Sequence, residues 1–188
     1  MVVISASQVK ELRERTGAGI MECKRALQEH DGNMDRASDH LKQQGLAKAE
    51  KKAGRVALQG VIEPYIHGNG RIGAIVEVNC ETDFVARTPE FRALAHDLAM
   101  QVAALAPKYV SEEEIPAESF DVLEREHGDR AHALEAVSLL DQKFIKDPRS
   151  TMRDVIKDQI AKVGENIVVR RFARFEVGAD APPASSDE

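Results

Sequence analysis

The segment RIGAIVEVNC, Arg71 to Cys80, alternates along its whole length. Ile72, Ala74, Val76, Val78 and Cys80 fall on one side, with Arg71, Glu77, Asn79 and the following Glu81 on the other. A period of two is that of a strand with one buried face. Such a strand needs neighbours in a sheet and a cover for its apolar side. One neighbour precedes it directly: Val61 to His67 reads as a strand, joined by GNGRIG, Gly68 to Gly73. The hexapeptide has the form G-x-G-x-x-G, but a dinucleotide site needs a helix straight after the glycines, and here a strand comes next. Asn69-Gly70 is instead the residue pair of a tight hairpin turn, where positive φ is required. Pro64 marks an edge position or a bulge, because proline cannot donate to the ladder. IVVRRFARFEV, Ile167 to Val177, is a third strand, rich in β-branched and aromatic residues.

Helical signals surround this sheet. Residues 5 to 45 read as three short helices. Ser5 and Gln8 fit a capping box, with Val9 and Leu12 as the first apolar edge. After the turn Thr16-Gly17-Ala18-Gly19, Ile20, Cys23 and Leu27 recur at helical spacing and are expected on one buried face. Asp31-Gly32-Asn33 turns the chain again, Met34, Ala37 and Leu41 give the third stripe, and Gly45 suits a helix C-terminus. Helices this short are unstable alone and must pack as one bundle. Thr88-Pro89 opens a helix with the stripe Phe91, Leu94, Ala95, Leu98, Val102 and Leu105. Leu98 to Ala106 is so apolar that more than one face must be covered, by a second subunit or by the rest of the core. Pro107 ends it. Phe120 to Phe144 reads as helical with a break near Gly128. Thr151 caps a helix carrying Met152, Val155, Ile156, Ile160 and Val163, closed by Gly164.

The fold class is therefore α+β. An N-terminal three-helix bundle (1–45) and a basic linker (46–56) precede an α+β core (57–177), where an antiparallel sheet of about three strands has helices packed on one face. A polar tail (178–188) is expected to be disordered. In the linker, LAKAEKKAGRV, Lys48, Lys51, Lys52 and Arg55 face only Glu50. A phosphate-touching arm is one reading, and a solvated connector outweighs it.

Net charge is −6, which disfavours a purely electrostatic nucleic-acid binder. Two separated cysteines, Cys23 and Cys80, make neither a disulfide framework nor a zinc pair and fit a reducing cytosol. The N-terminus has neither a secretory signal nor an acid-poor transit peptide, and no segment suits a membrane span. The expected location is cytoplasmic. The six histidines show no metal-ligand spacing, and no phosphate-binding or nucleophile-elbow motif occurs, so no metal, cofactor or catalytic residue is assigned.

The stretch after the central strand is harder to absorb. NCETDFVAR, Asn79 to Arg87, places an acid, a hydroxyl, a second acid and a phenylalanine in a polar turn. Cys80 with Glu81 and Asp83 could form a thiol or acid/base site. A reactive thiolate needs a nearby cation, whereas these neighbours are acids and Cys80 continues a buried face. The plainer reading is a strand end followed by a short helical turn through Val85 and Ala86, capped by Asp83. It leaves Phe84 unexplained, either core or projecting outward.

At these residues the chain resembles bacterial elongation factor Ts. Two stretches carry the resemblance: LRERTGAGIMECKRAL, Leu12 to Leu27, and EVNCETDFVAR, Glu77 to Arg87. It continues through YIHGNGRIG, LLDQKFIKD and GENIVVRRFARFEV. Departures are Glu22, where the family usually has Asp, and the stretch from about Pro107 to Leu139. The resemblance implies a non-enzymatic guanine-nucleotide exchange factor that binds elongation factor Tu and promotes GDP release. It implies a ubiquitin-associated-like bundle that docks on the GTPase, with Met21, Cys23 and Lys24 in or beside the docking helix. It assigns Thr82, Asp83, Phe84 and Val85 to a wedge near the Mg/phosphate site. The compact, single-repeat form further implies a homodimer, for which Leu98 to Ala106 is the expected seam, and no direct nucleic-acid or membrane partner. Two rival readings stand beside it: a helical adaptor for another protein, in which Phe84 is dispensable, and a small enzyme using Cys80, Glu81 and Asp83.

Overall fold

A computed structural model describes residues 3–179. The expected tail lies outside the described residues from 180 onward. Gly178 and Ala179 form a turn, with the Ala179 N–H donating to Glu176 O.

The bundle comprises α1 (Ala6–Thr16), α2 (Ile20–Glu29) and α3 (Met34–Glu50). Ser5 caps α1 with the reciprocal Gln8 contact, and the Asn33 side chain accepts from Arg36 N at the start of α3. Leu12, Cys23, Ala26, Leu27, Ala37 and Leu41 form a core of their own. Ile20 does not join it and is 58% exposed. It is the first residue of α2, whereas Cys23 and Leu27 lie deeper between α1 and α3.

Gly45 does not end α3, which continues through it to Glu50 and packs on a late helix, α8 (Met152–Val163). A Cβ at position 45 would stand 3.1 Å from the Ala161 Cβ, so glycine here permits close helix approach. The segment read as linker is thus helical over its first five residues, and Ala49 is buried in the main core. Three of its four cations are engaged. Lys48 pairs with Glu22 of the bundle, Lys52 Nζ donates to Gly164 O at 2.6 Å, and Arg55 lies 3.5 Å from Glu81.

The main sheet has the order β1-β2-β5 and is antiparallel throughout, with β1 (Gln59–His67), β2 (Ile72–Cys80) and β5 (Ile167–Glu176). Pro64 sits on the edge strand as expected, and Asn69 takes φ 56° in the hairpin turn. The inner face carries Val61, Ala74, Val76, Val78, Cys80, Ile167 and Val169. Across it lies α5 (Pro89–Leu105), capped by Thr88 with Pro89 in the first turn.

Leu98, Ala99, Gln101, Val102 and Ala103 are all buried within the single chain. The rest of the core is therefore their cover, which leaves Ala104 to Ala106 as the exposed end of the expected seam. Gln101, the one polar break in that run, is fully buried and satisfied. Its amide donates to Lys143 O (3.0 Å) and Gln142 Oε1 (3.3 Å), and its carbonyl accepts from Ile145 N (3.1 Å). A buried amide with its partners in place fixes a loop against the helix. Because that loop is held there, Ser138 to Phe144 is not helical as expected.

Between α5 and that loop stand α6 (Phe120–His127) and α7 (Arg130–Val137), separated at Gly128, over a small core of Ile115, Leu123, Ala133 and Val137. A hairpin of β3 (Lys143–Phe144) and β4 (Asp147–Thr151) leads into α8, which Thr151 caps with Asp154 and Gly164 closes at φ 79°. The helices cover one face of the sheet. On the other, Ile62, Ile66, Ile75 and Phe175 are 44 to 67% exposed. Among the described residues no helix is long and apolar enough to cross a membrane.

Candidate functional site

The turn Thr82 to Ala86 hangs from the end of β2. Thr82 is extended, and its hydroxyl accepts from Val85 N at 3.3 Å, so Thr82 rather than Asp83 is the cap. Asp83 is instead the first residue of the one-turn helix α4 (Asp83–Ala86), where its carboxylate meets Arg87 at 2.7 Å. This turn has two sides. Val85 and Ala86 are each 6% exposed and belong to the main core, whereas Phe84 is 76% exposed. The chain runs on into α5 without slack, since Thr88 donates both its N–H and its hydroxyl to Val85 O. The open question at Phe84 is answered: the ring projects outward. Val85, grouped with it in sequence, is the buried anchor beneath.

Behind the turn lies a loop to which the sequence assigns no role, Gly164 to Asn166. Glu165 Oε2 accepts from Glu81 N (3.1 Å) and Thr82 N (3.0 Å), and Oε1 accepts from the Thr82 hydroxyl (2.6 Å). Asn166 N donates to Glu81 Oε1 at 2.7 Å. The Asn166 amide, 2% exposed, donates to Ala53 O (3.2 Å) and Arg55 O (2.8 Å). The only cue in sequence is a polar pair directly after a helix-closing glycine.

Cys80 lies under the same turn with no exposed surface, its thiol donating to Thr82 O at 3.1 Å. Burial, and then the nearby Glu165 carboxylate, push it up to about 11. A thiol held protonated and covered is not a nucleophile at neutral pH. A polar cleft of about 600 Å³ opens elsewhere, between α3 and α8. Lys42, Arg149 and Lys162 line it with Asp39, Asp147 and Asp158.

On the bundle, Met21 is 73% exposed and Lys24 is also exposed, beside the exposed Ile20. Cys23 is fully buried, and burial raises its thiol pKa. Cys23 therefore supports α2 from beneath. Glu22 bridges the turn and α3: its carboxylate pairs with Lys48 and accepts from Gly19 N at 3.1 Å, which holds its pKa below the usual range. Ile20 with Met21 on α2 and Phe84 on α4 are thus exposed apolar features, separate from the outer face of the sheet.

A family profile described as Elongation factor TS matches residues 46–127. Full-length similarity is broader. The elongation factor Ts of Carboxydothermus hydrogenoformans is 51% identical, covering 94% of this chain and 90% of its own. That of Caldanaerobacter subterraneus subsp. tengcongensis is 50% identical, covering 94% and 98%. This chain belongs to the elongation factor Ts family. The elongation factor Ts of Syntrophomonas wolfei subsp. wolfei, 50% identical and covering 98% of this chain and 95% of its own, agrees. The elongation factor Ts similarity thus spans the bundle, the Thr82–Ala86 turn and the Gly164–Asn166 loop together.

Proposed function

We propose that the chain is a guanine-nucleotide exchange factor that binds elongation factor Tu·GDP and promotes GDP release during translation elongation. The observation that carries this reading is Phe84, a large apolar ring 76% exposed on a turn whose other side is locked into the core. An exposed aromatic on a rigid support gains burial only when a partner supplies the pocket. A GTPase holds its nucleotide phosphates with backbone N–H groups, a lysine and Mg²⁺, and shifting the elements that carry them weakens nucleotide binding. No bond need form or break, so we read the protein as a non-enzyme. Linkage is reciprocal: a factor that weakens nucleotide binding is itself released when nucleotide rebinds.

The work divides by domain. The bundle (1–45) docks through Ile20, Met21 and Lys24, residues 46–56 connect, and the core (57–177) carries Asp83 and Phe84. Thr82 and Val85 hold the turn from behind. We place the protein in the cytoplasm with the translation apparatus and assign it no direct nucleic-acid partner.

We further read the chain as a homodimer joined through the outer face of its sheet. Ile62, Ile66, Ile75 and Phe175 lie there exposed, and Ile66, Gly73, Ile75, Phe175 and Val177 line a shallow groove of about 300 Å³. A second copy offers the same apolar face, and two sheets pack face to face at about 10 Å. Arg171 and Glu77, paired at 2.8 Å on that face, give it a polar margin.

The test is release of fluorescent GDP from elongation factor Tu. Added protein should accelerate release in a saturable manner. Binding without acceleration would replace this reading with the adaptor.

A further inference from the structure

We propose that Glu165 is the positioning residue of the exchange turn: its carboxylate clasps Glu81 N, Thr82 N and the Thr82 hydroxyl, and so holds Phe84 at a fixed aim. The inference rests on the exchange reading above and adds to it a residue that acts through Thr82.

The turn needs such a clasp. A four-residue helix does not sustain itself. Phe84 contributes little to holding it, because the ring is mostly in solvent. The entry to the turn also presents N–H groups that have no helical acceptor. Glu165 satisfies two backbone donors with one oxygen and the Thr82 hydroxyl with the other, at 3.1, 3.0 and 2.6 Å. Hydrogen bonds to an ionised acceptor are among the strong ones. Thr82 then turns the same hydroxyl oxygen toward Val85 N and starts α4. The order in space is therefore Glu165, Thr82, α4, Phe84.

The same loop holds the chain that leaves the bundle. Lys52 reaches Gly164 O at 2.6 Å, and Asn166 binds Ala53 O and Arg55 O. Three consecutive residues thus fix both the path from the docking bundle and the base of the exchange turn. A loose turn would spend docking energy on being ordered, whereas a held one delivers it to the partner.

Two variants separate positioning from mere folding. Glu165→Ala removes every acceptor. Glu165→Gln keeps a carbonyl for the two N–H groups and puts an amide donor opposite the Thr82 oxygen. With elongation factor Tu and fluorescent GDP, the saturated release rate should fall about tenfold or more for Glu165→Ala, a tenfold loss being about the size set by one hydrogen bond to a charged group. The half-saturating concentration should change less, because docking through α2 is untouched. Glu165→Gln should keep most of the wild-type rate. Equal saturated rates for wild type and Glu165→Ala would overturn the proposal. Equal loss in both variants, with matching falls in melting temperature, would overturn it too. Amide hydrogen exchange on the free protein reads the clasp without the GTPase. Glu81 and Thr82 should lose protection in Glu165→Ala while Val76 and Val78 keep theirs. Unchanged protection at Glu81 and Thr82 overturns the clasp. Failure of the wild type to accelerate release overturns the exchange reading, leaving amide protection to judge the clasp.

Discussion

Phe175→Glu should dissociate the homodimer proposed above. Phe175 stands opposite Gly73 on the outer sheet face and is 67% exposed in the single chain. Fully burying a phenylalanine contributes about 1.5–3 kcal/mol, so covering the exposed two-thirds contributes about 1–2 kcal/mol. In a two-fold interface each substitution enters twice, giving about 2–4 kcal/mol, or a dimer weakened between about 30-fold and several hundredfold. Two facing carboxylates would weaken it further. Sedimentation equilibrium across a wide concentration range measures the constant directly. Leu105→Glu is the control, because Leu105 is exposed at the end of α5, the helix whose apolar run suggests a seam in sequence. The account expects Phe175→Glu to be monomeric where wild type is dimeric, and Leu105→Glu to behave as wild type. The reverse pattern would return the interface to α5. A wild type that stays monomeric throughout would refute the homodimer.

Other consequences concern the core and the bundle. Gly60→Ala would place a Cβ 2.1 Å from Val78 O at a φ of 155°, so we expect a loss of about 2–4 kcal/mol, read as a lower denaturation midpoint in urea. A midpoint equal to wild type would show that β1 yields there. Burial raises the Cys80 thiol from its ordinary 9.0 to about 11, so the unfolded chain loses this proton first as pH rises. The stability it contributes is whole below pH 9.0 and fades toward about 11. By then the loss amounts to about 2 kcal/mol. Urea titrations at neutral and alkaline pH should show a smaller alkaline loss in Cys80→Ala, and equal losses would contradict the assignment. Gly45→Leu should separate α3 from α8, lowering the melting temperature. An unchanged melting temperature would show that the close approach at Ala161 contributes nothing.

Local signals were legible in the sequence and distant ones were not. Ser5, Thr88 and Thr151 announce helix starts because a cap is a contact across three residues. The central strand follows from its period of two, the third from its β-branched and aromatic residues, and the hairpin from Asn69-Gly70. Gly45 misleads because a glycine that ends a helix and one that admits a neighbouring helix are the same residue in the same pattern. The apolar run after Leu98 signals double burial without naming its cover, and the buried Gln101 amide that fixes that cover pairs with residues 41 to 44 positions later. Thr82 and Asp83 are both good cap residues side by side, and only the hydroxyl-to-Val85 contact chooses between them. The Glu165 clasp joins residues 83 and 84 apart, and no spacing rule reaches that far.

The central claim is that a held, exposed Phe84 opens the nucleotide site. Stopped-flow release of fluorescent GDP from elongation factor Tu, with wild type and Phe84→Ala at saturation, tests it most directly. The ring is 76% exposed in the free chain, so its removal should leave the melting temperature unchanged. The lost burial of about 1–2 kcal/mol should cut the saturated release rate about 5- to 30-fold. Equal acceleration by the two proteins would contradict the account.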